Sequence, residues 1–306
     1  MSNYNYRQFM RKYRILITSQ STGVDFDVSD LRCSFTVDKR LSETPDHSVV
    51  AVYNVSEDSI NAIQPGDKLV IEAGYKDGNY GMIFVGKIVQ AVMKHGDSVD
   101  SYAAFICTDG DQFLTQTVVC TTMAAGATAS DIVKECITTG GDVATGDITD
   151  SLSKSKLSRG KVLFGKSADY LSQIAKGNNA QFYVEDGRVN IVAADSYDDS
   201  IAVALTPQTG LIGTPEQTDD GISAKCLLNP SLRLNTRVYI DTRYTNAQET
   251  NKSKEAAKIN ACGIYKVTKL QYKGDTRGDE WYCEFEAVSM TGSLLSGLSG
   301  DQTNPW

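Results

Sequence analysis

Apolar and polar positions alternate along the first third of the chain with the period of a half-buried β-strand. Leu31, Cys33, Phe35 and Val37 fall on one side, and Arg32, Ser34, Thr36 and Asp38 on the other. Tyr13, Ile15 and Ile17 mark an earlier short strand. Further strands are predicted over residues 49–55, 68–75, 82–93 and 99–108. Turn signals separate them at Gln64-Pro65-Gly66-Asp67, Lys76-Asp77-Gly78-Asn79 and His95-Gly96-Asp97. Short strands at this spacing predict a barrel or a sandwich.

The pattern changes in the middle third. Thr128-Ala129-Ser130-Asp131 has the form of a helix start with an acidic residue at the third helical position. Ile132, Val133, Cys136 and Ile137 then form one apolar stripe, and Gly140-Gly141 ends it. Residues 141–160 are rich in Gly, Asp, Ser, Thr and Lys and read as an exposed loop. A second helix is predicted from Ser167, burying Ala168, Leu171, Ile174 and Ala175, with Gly177 as its C′ residue. A hairpin over 182–185 and 188–192 turns on Asp186-Gly187. Two helices and a hairpin make a small α+β unit over 121–200.

Strands return at 201–205, 222–228, 237–242, 263–272 and 280–288. In the last of them Trp281, Cys283, Phe285 and Ala287 share one face. Residues 245–261 read as a long polar loop between two strands. Residues 291–306 read as a Gly/Ser-rich, flexible C-terminal tail.

The two β regions echo each other. Residues 68–75 line up with 237–244, each with an acidic residue three places before a tyrosine. Ile83-Phe84 and Ile264-Tyr265 then open a long strand that ends at His95-Gly96-Asp97 in one copy and Lys273-Gly274-Asp275 in the other. Two similar domains per chain, repeated three times around an axis, give a ring of six.

Composition narrows the function more than the fold. Hydrophobic content of 41% and charged content of 22% are ordinary for a globular protein. No apolar run approaches the roughly 20 residues of a membrane helix, so no membrane insertion is expected. The start lacks the apolar core of a secretory signal, and synthesis in a cytoplasm is expected. A net charge of −8 argues against general nucleic-acid binding, yet suits a wall past which DNA slides. The seven cysteines are odd in number with no C-x-x-C pair, and Cys33, Cys107, Cys136 and Cys283 lie on apolar faces. They read as small buried hydrophobes, not as disulfides or zinc ligands.

Catalytic chemistry finds little footing. Only His47 and His95 are present, one in a loop and one in a hairpin turn, and neither has the orienting partner that a nucleophile–histidine device needs. No phosphate-binding glycine loop or H-E-x-x-H motif occurs. The run Asp195-Ser196-Tyr197-Asp198-Asp199 lacks the glycine and terminal glutamate of a calcium loop. It reads as a solvated charge cluster, as do Asp219-Asp220 and Asp109-Gly110-Asp111. Trp281 reads as core, and Trp306 as a free end.

Three stretches resemble the central hub family of phage tail baseplates, of the tail protein D type. The first runs from Asn54-Val55-Ser56 through Gly66-Asp67 to Ala73-Gly74-Tyr75 and Phe84-Val85-Gly86. The second is Gly213-Thr214-Pro215, leading to Leu228-Asn229-Pro230. The third is Gly274-Asp275 with Gly278-Asp279-Glu280-Trp281. The resemblance spans about 45–290. It implies a mainly β (α+β) chain with two related, tail-tube-like β-barrel domains, at 1–120 and 201–290, and an α+β middle domain at 121–200. It further implies a structural, non-enzymatic homotrimer in the virion tail, made in the host cytoplasm, that joins a sixfold tail tube to a threefold spike. The implied partners are the tube or tube-initiator protein, the spike, the tape measure protein and the surrounding baseplate proteins, with DNA passing through unbound. Catalytic, cofactor-binding and metal residues: none are expected. Two other readings compete, a carbohydrate-binding adhesin at the tail tip and a tail-associated peptidoglycan hydrolase.

Overall fold

The computed structural model describes residues 8–20, 23–95, 101–141, 143–154, 156–194, 196, 202–218, 221–241 and 262–289. The chain is mainly β. Its first half holds β1 (Arg11–Thr18), β2 (Asp25–Asp27), β3 (Cys33–Arg40), β4 (His47–Tyr53), a short helix α1 (Glu57–Ala62), β5 (Lys68–Tyr75), β6 (Tyr80–His95) and β7 (Ser101–Thr108). The strands alternate as the sequence demands: in β3 the residues Cys33, Phe35 and Val37 are buried and their neighbours are not. The turn before β5 is fixed by Asp67. Its buried carboxylate accepts from the backbone N–H groups of Gln64 and Gln20, at 2.8 and 2.9 Å.

The middle holds α2 (Asp111–Gln116), β8 (Val118–Met123), α3 (Ala129–Gly140), β9 (Ala144–Ile148), β10 (Lys161–Lys166), α4 (Ser167–Gly177), β11 (Ala180–Glu185) and β12 (Arg188–Ala193). The last third holds β13 (Val203–Leu205), β14 (Leu211–Gln217), β15 (Gly221–Leu227), β16 (Arg237–Asp241), β17 (Cys262–Asp275) and β18 (Trp281–Ser289). No helix among the described residues is long and apolar enough to cross a membrane.

One thirteen-stranded sheet takes in both outer thirds. Its path runs β14-β15-β18-β17-β3-β4-β7-β6-β5-β1-β2, with β16 added on β17 and β13 on β16. Two copies of a single order lie in this sheet. In the first third the neighbours run β1-β5-β6-β7-β4-β3, and in the last third β13-β16-β17-β18-β15-β14. The irregularities repeat too: β6 bulges between Ile88 and Gln90 against β7, and β17 bulges between Val267 and Lys269 against β18. The copies differ at their first pair, antiparallel for β1 and β5 but parallel for β13 and β16.

The ladders shift the echo seen in the sequence. Leu69 pairs with Gly86 as Val238 pairs with Tyr265, so Val85-Gly86 matches Ile264-Tyr265, and Ile83-Phe84 does not. The one irregularity in the β5–β6 ladder, at Ile83, lies before these matched residues. At the far end His95 takes the place of Gly274, one residue off the expected match.

The two copies are joined through β3 and β17, which pair from Lys269↔Arg40 to Asp275↔Ser34. Gly274 lies opposite Phe35 on one side and Trp281 on the other. The Phe35 and Trp281 rings meet edge to face, with centroids 5.7 Å apart, and Tyr13 adds a second edge contact at 6.0 Å. A Cβ on Gly274 would come within 2.3 Å of the Phe35 ring, so the glycine is what lets the two aromatics close over the strand. Asp275 fixes the turn that follows. Its carboxylate accepts from the Arg32 guanidinium at 2.7 Å and from the backbone N–H groups of Arg277 and Gly278.

A single apolar core fills the large sheet, from Ile15 and Phe105 to Tyr272 and Phe285. The middle third has its own core around Phe113, Ile132, Leu152, Leu171 and Ile191. The hairpin β11–β12 serves both: Phe182 and Ile191 enter the middle core, while Tyr183 and Val192 enter the large one. Its turn is as expected, with Asp186 and Gly187 at φ 52° and 72°. The capping box of α3 also forms, Thr128 and Asp131 bonding each other's backbone N–H.

Two expectations for the middle are corrected, and one strand pair is added. Residues 141–160 are not a bare loop: β9 pairs in parallel with β12, and a 3-10 turn at Asp150–Ser153 buries Leu152. Parallel pairing draws on a partner some forty residues away, which local periodicity does not see. Gly177 is the last residue of α4, not its C′ residue. Asn178 closes the helix, its side chain donating to the Ile174 carbonyl at 2.8 Å, and the left-handed residue is Asn179. Strands β8 and β10, paired from Lys161↔Met123 to Lys166↔Val118, were also missed. The side chains on their outer face, Val118, Val162 and Phe164, are exposed. The polar loop 245–261 and the tail 291–306 lie outside the described residues.

Replacing Gly274 with alanine is expected to cost about 1–3 kcal/mol, the usual penalty of overpacking, because Phe35 must leave its place against Trp281. Urea unfolding at constant slope measures it, and an unchanged midpoint would show that the two aromatics do not depend on the glycine.

Candidate functional site at the junction of the two cores

Lys39, near the end of β3, points into the boundary between the large sheet and the middle third. Its ammonium lies 2.8 Å from both carboxylate oxygens of Asp186 and 3.2 Å from Glu185 Oε1. All three side chains are at least nine-tenths buried. A third carboxylate, Asp109, follows β7 and accepts from the Gly187 backbone N–H at 2.9 Å. The tight Asp186-Gly187 turn is thus the plug, and Lys39 and Asp109 are its socket. Val184 closes the contact against Gly110, where a Cβ would come within 2.7 Å.

One lysine among three carboxylates leaves the cluster short of positive charge. Burial works against the Lys39 ammonium, but Glu185 and Asp186 outweigh it and raise its pKa. Burial pushes the Glu185 carboxyl up, with Lys39 opposing. Asp109 has no such direct partner. Burial, and after it the charge of Asp186, pushes its carboxyl from the ordinary 3.8 up to about 7. Buried ion pairs of this kind contribute little net stability but hold their partners in one register.

A second feature is the outer face of the sheet where the two copies meet. Lys225 reaches Glu284 at 3.5 Å, Lys273 reaches Glu284 at 3.0 Å, and Lys269 reaches Glu286 at 2.7 Å. Gln271 donates to Asp38 at 2.6 Å and carries the polar face across the β17–β3 seam. Each of these lysines is held by a carboxylate.

The structure scatters the residues singled out for chemistry. His47 heads β4 opposite Thr108 and is exposed, and His95 ends β6. Both therefore belong to strands, not to the loop and turn expected of them. The reading of Asp109-Gly110-Asp111 as a solvated cluster is overturned at Asp109, which faces the buried cluster, while Asp111 starts α2. Burial pushes the Cys107 thiol up to about 12, which leaves it unreactive. Cys33, Cys136 and Cys283 are buried as expected, Cys226 is buried too, and Cys120 is exposed. Trp281 is core. Among the described residues no group of His, Cys, Asp and Glu is arranged to hold a metal ion. Asp195, Asp198, Asp199, Asp219, Asp220 and Trp306 lie outside the described residues. Sequence reasoning missed Lys39 and Glu185; the Asp-Gly turn was the one local signal, and it did not say what the turn plugs into.

Residues 49–287 match the family model for baseplate hub gp41. No curated protein sequence matches the chain. Among solved structures the fold is similar to the 43 kDa tail protein of prophage MuSo2 from Shewanella oneidensis, with a TM-score of 0.59 and 9% identity over 91% of this chain and 99% of that one. It is also similar to the tail protein from Neisseria meningitidis MC58, with a TM-score of 0.57 and 10% identity over 92% and 97%. A third likeness is to the half-lidded Francisella PdpA–VgrG complex, with a TM-score of 0.54 and 9% identity over 99% of this chain and 61% of that one.

The raised Asp109 pKa sets a pH dependence. The folded state keeps its proton up to about pH 7, while an unfolded aspartate releases it near 3.8. The folded state therefore binds more protons between these values, and stability falls as pH rises through the window, levelling above it. Asp109→Asn keeps an acceptor for Gly187 and removes the charge. It is expected to be more stable than the native protein by on the order of 1–3 kcal/mol above pH 7, the gap closing toward pH 4. Lys39→Met, which strands two buried carboxylates, is expected to cost about 3–5 kcal/mol. Thermal melts across pH 4–9 check both, and a parallel pH profile for Asp109→Asn and the native chain would remove Asp109 as the titrating group.

Proposed function

The chain belongs to the baseplate hub gp41 family, and on that premise we propose that it is the homotrimeric hub joining a sixfold tail tube to a threefold spike around an open channel. The observation that carries this reading is the repeated strand order. Each chain holds two copies of one sheet topology, and three chains about an axis present six. That is the arithmetic needed to stack a trimer on a sixfold tube. We take residues 1–120 and 201–290 as the two tube-like units and 121–200 as the α+β unit set between them.

The role is mechanical. The hub holds the tube, or the protein that initiates it, on one side and the spike on the other, and the tape measure and surrounding baseplate proteins are further neighbours. The likeness to a chain of a complex that contains VgrG supports a place beside a spike. The ion-paired face over β15, β18, β17 and β3 suits a channel wall. DNA binds proteins by displacing counterions with free lysine and arginine. On this face Lys225, Lys269 and Lys273 are already held by Glu284 and Glu286, so these three ammonium groups are not free for a passing phosphate backbone.

Light scattering on the native protein, alone and mixed with its spike, is expected to give a species of three times 33.3 kDa. A chain that stays monomeric in both cases would overturn the threefold reading. Glu284→Gln together with Glu286→Gln frees the three lysines. Tails built with it are expected to assemble normally and to release DNA more slowly. Release at the native rate would exclude this face from the channel.

A further inference from the structure

The β8–β10 ribbon covers the middle core with one face only. Val119 and Leu163 point inward and are fully buried. On the opposite face Val118, Val162 and Phe164 are 52%, 68% and 74% exposed. They form one patch: Val162 and Phe164 are two apart on β10, Cys120, also exposed, lies opposite Phe164, and Val118 lies opposite Lys166. Contiguous exposed apolar side chains with a polar rim mark an interaction surface. No side chain of the ribbon enters the core of the large sheet, so the patch belongs to the middle unit alone.

The ribbon is closed at its edge and open on its face. The Tyr170 hydroxyl accepts from the Phe164 backbone N–H at 3.0 Å and donates to the Phe164 carbonyl at 3.3 Å. Both backbone groups point away from β8, where an added strand would bond. What the ribbon offers a partner here is therefore side chains, not backbone.

The charge beside the patch is also distinctive. Lys154, Lys156, Arg159, Lys161 and Lys166 fall within residues 151–168, which hold no acidic residue, in a chain of net charge −8. Lys161 leans over the Tyr170 ring, and the other four are exposed. Among the described residues none of the five lies within ion-pair distance of a carboxylate. The lysines of β15 and β17 differ in being held by Glu284 and Glu286. The basic segment is also pinned: Leu157 donates to the Ala127 carbonyl and accepts from the Gly126 N–H, both at 2.8 Å.

We propose that the outer face of this ribbon seats a second baseplate protein, whose docking segment carries apolar side chains flanked by carboxylates. The inference rests on the hub reading above and adds to it a site on the middle unit and the chemistry of its partner. Phe164 is the anchor, since a large exposed aromatic gains most from burial. The unpaired cations form the rim, where they draw in an acidic partner and turn away a basic one. In the hub reading the threefold contacts belong to the repeated units, and the ribbon has no part in their core, so its occupant is a different protein.

A photoreactive side chain tests this. Phe164 is replaced by p-benzoylphenylalanine, and assembled tails are irradiated. A cross-link to a different baseplate protein is expected, mapped by mass spectrometry to a segment with carboxylates within a few residues. The same group at Thr138, exposed on α3, is the control and is expected to give no such product. With that protein and the hub chain purified, Lys156→Glu with Arg159→Glu is expected to weaken binding about tenfold, and reversing the mapped carboxylates to lysine to restore it. Both substituted side chains are exposed, so the thermal midpoint is expected to match the native one. Cross-links only to another hub copy, or to a segment without acids, would overturn the proposal. So would flotation of the native chain with phosphatidylglycerol vesicles in the absence of any protein cross-link, which would make the face a lipid contact. A trimeric hub present in tails whose residue 164 cross-links to nothing would overturn the site and leave the hub reading standing. Absence of the chain from purified tails would overturn both.

Discussion

Residues 34–40 of β3 and 269–275 of β17 share one antiparallel ladder although they come from opposite ends of the chain; Asp38 and Gln271, paired in it, are 233 positions apart. Remove this contact and the molecule is two separate sheets with a helical unit between them. Backbone hydrogen bonds set the spacing of the ladder, but side chains set its register. Phe35 and Trp281 can close on each other only across a residue without a Cβ, and Gly274 is at that position. A slip of one residue would turn every side chain of β3 to the wrong face. The Arg32–Asp275 pair and the Gln271–Asp38 bond lie on the same seam and agree with the same register.

The charged cluster around Lys39 acts one strand end away. Lys39 pairs across to Leu270, so the residue that receives the Asp186-Gly187 turn also belongs to the seam. The orientation of the middle third is thereby tied to the joining of the two copies. Electrostatics makes this contact selective more than strong. Three carboxylates around one ammonium are poorly balanced, and Asp109 meets the imbalance by holding its proton to about pH 7. Apolar packing from Tyr183 and Val192 provides the adhesion, and the charges decide which turn fits.

The two copies of the sheet order are the most regular feature of the fold. A sheet order that occurs twice in a chain lets equivalent strand edges recur with different neighbours. The copies are not identical: β14 swells where β3 is regular, and the first strand pair reverses direction.

Much of this was legible in the chain itself. Alternation along residues 31–38, the capping box at Thr128 and Asp131, the Asp186-Gly187 hairpin and the burial of Trp281 follow from local periodicity and turn chemistry, which act over a few residues and leave their mark in order. The resemblance to a baseplate hub was carried by such local strand-and-turn patterns. Tertiary structure alone decided the rest. Strand β9 exists because β12 supplies a parallel partner forty residues later. The echo takes its true register from the β5–β6 and β16–β17 ladders. Asp109 is buried because a turn from another unit closes over it. In each case the deciding energy comes from a contact between distant segments, and the residues that make it look, one at a time, like any polar strand end or loop.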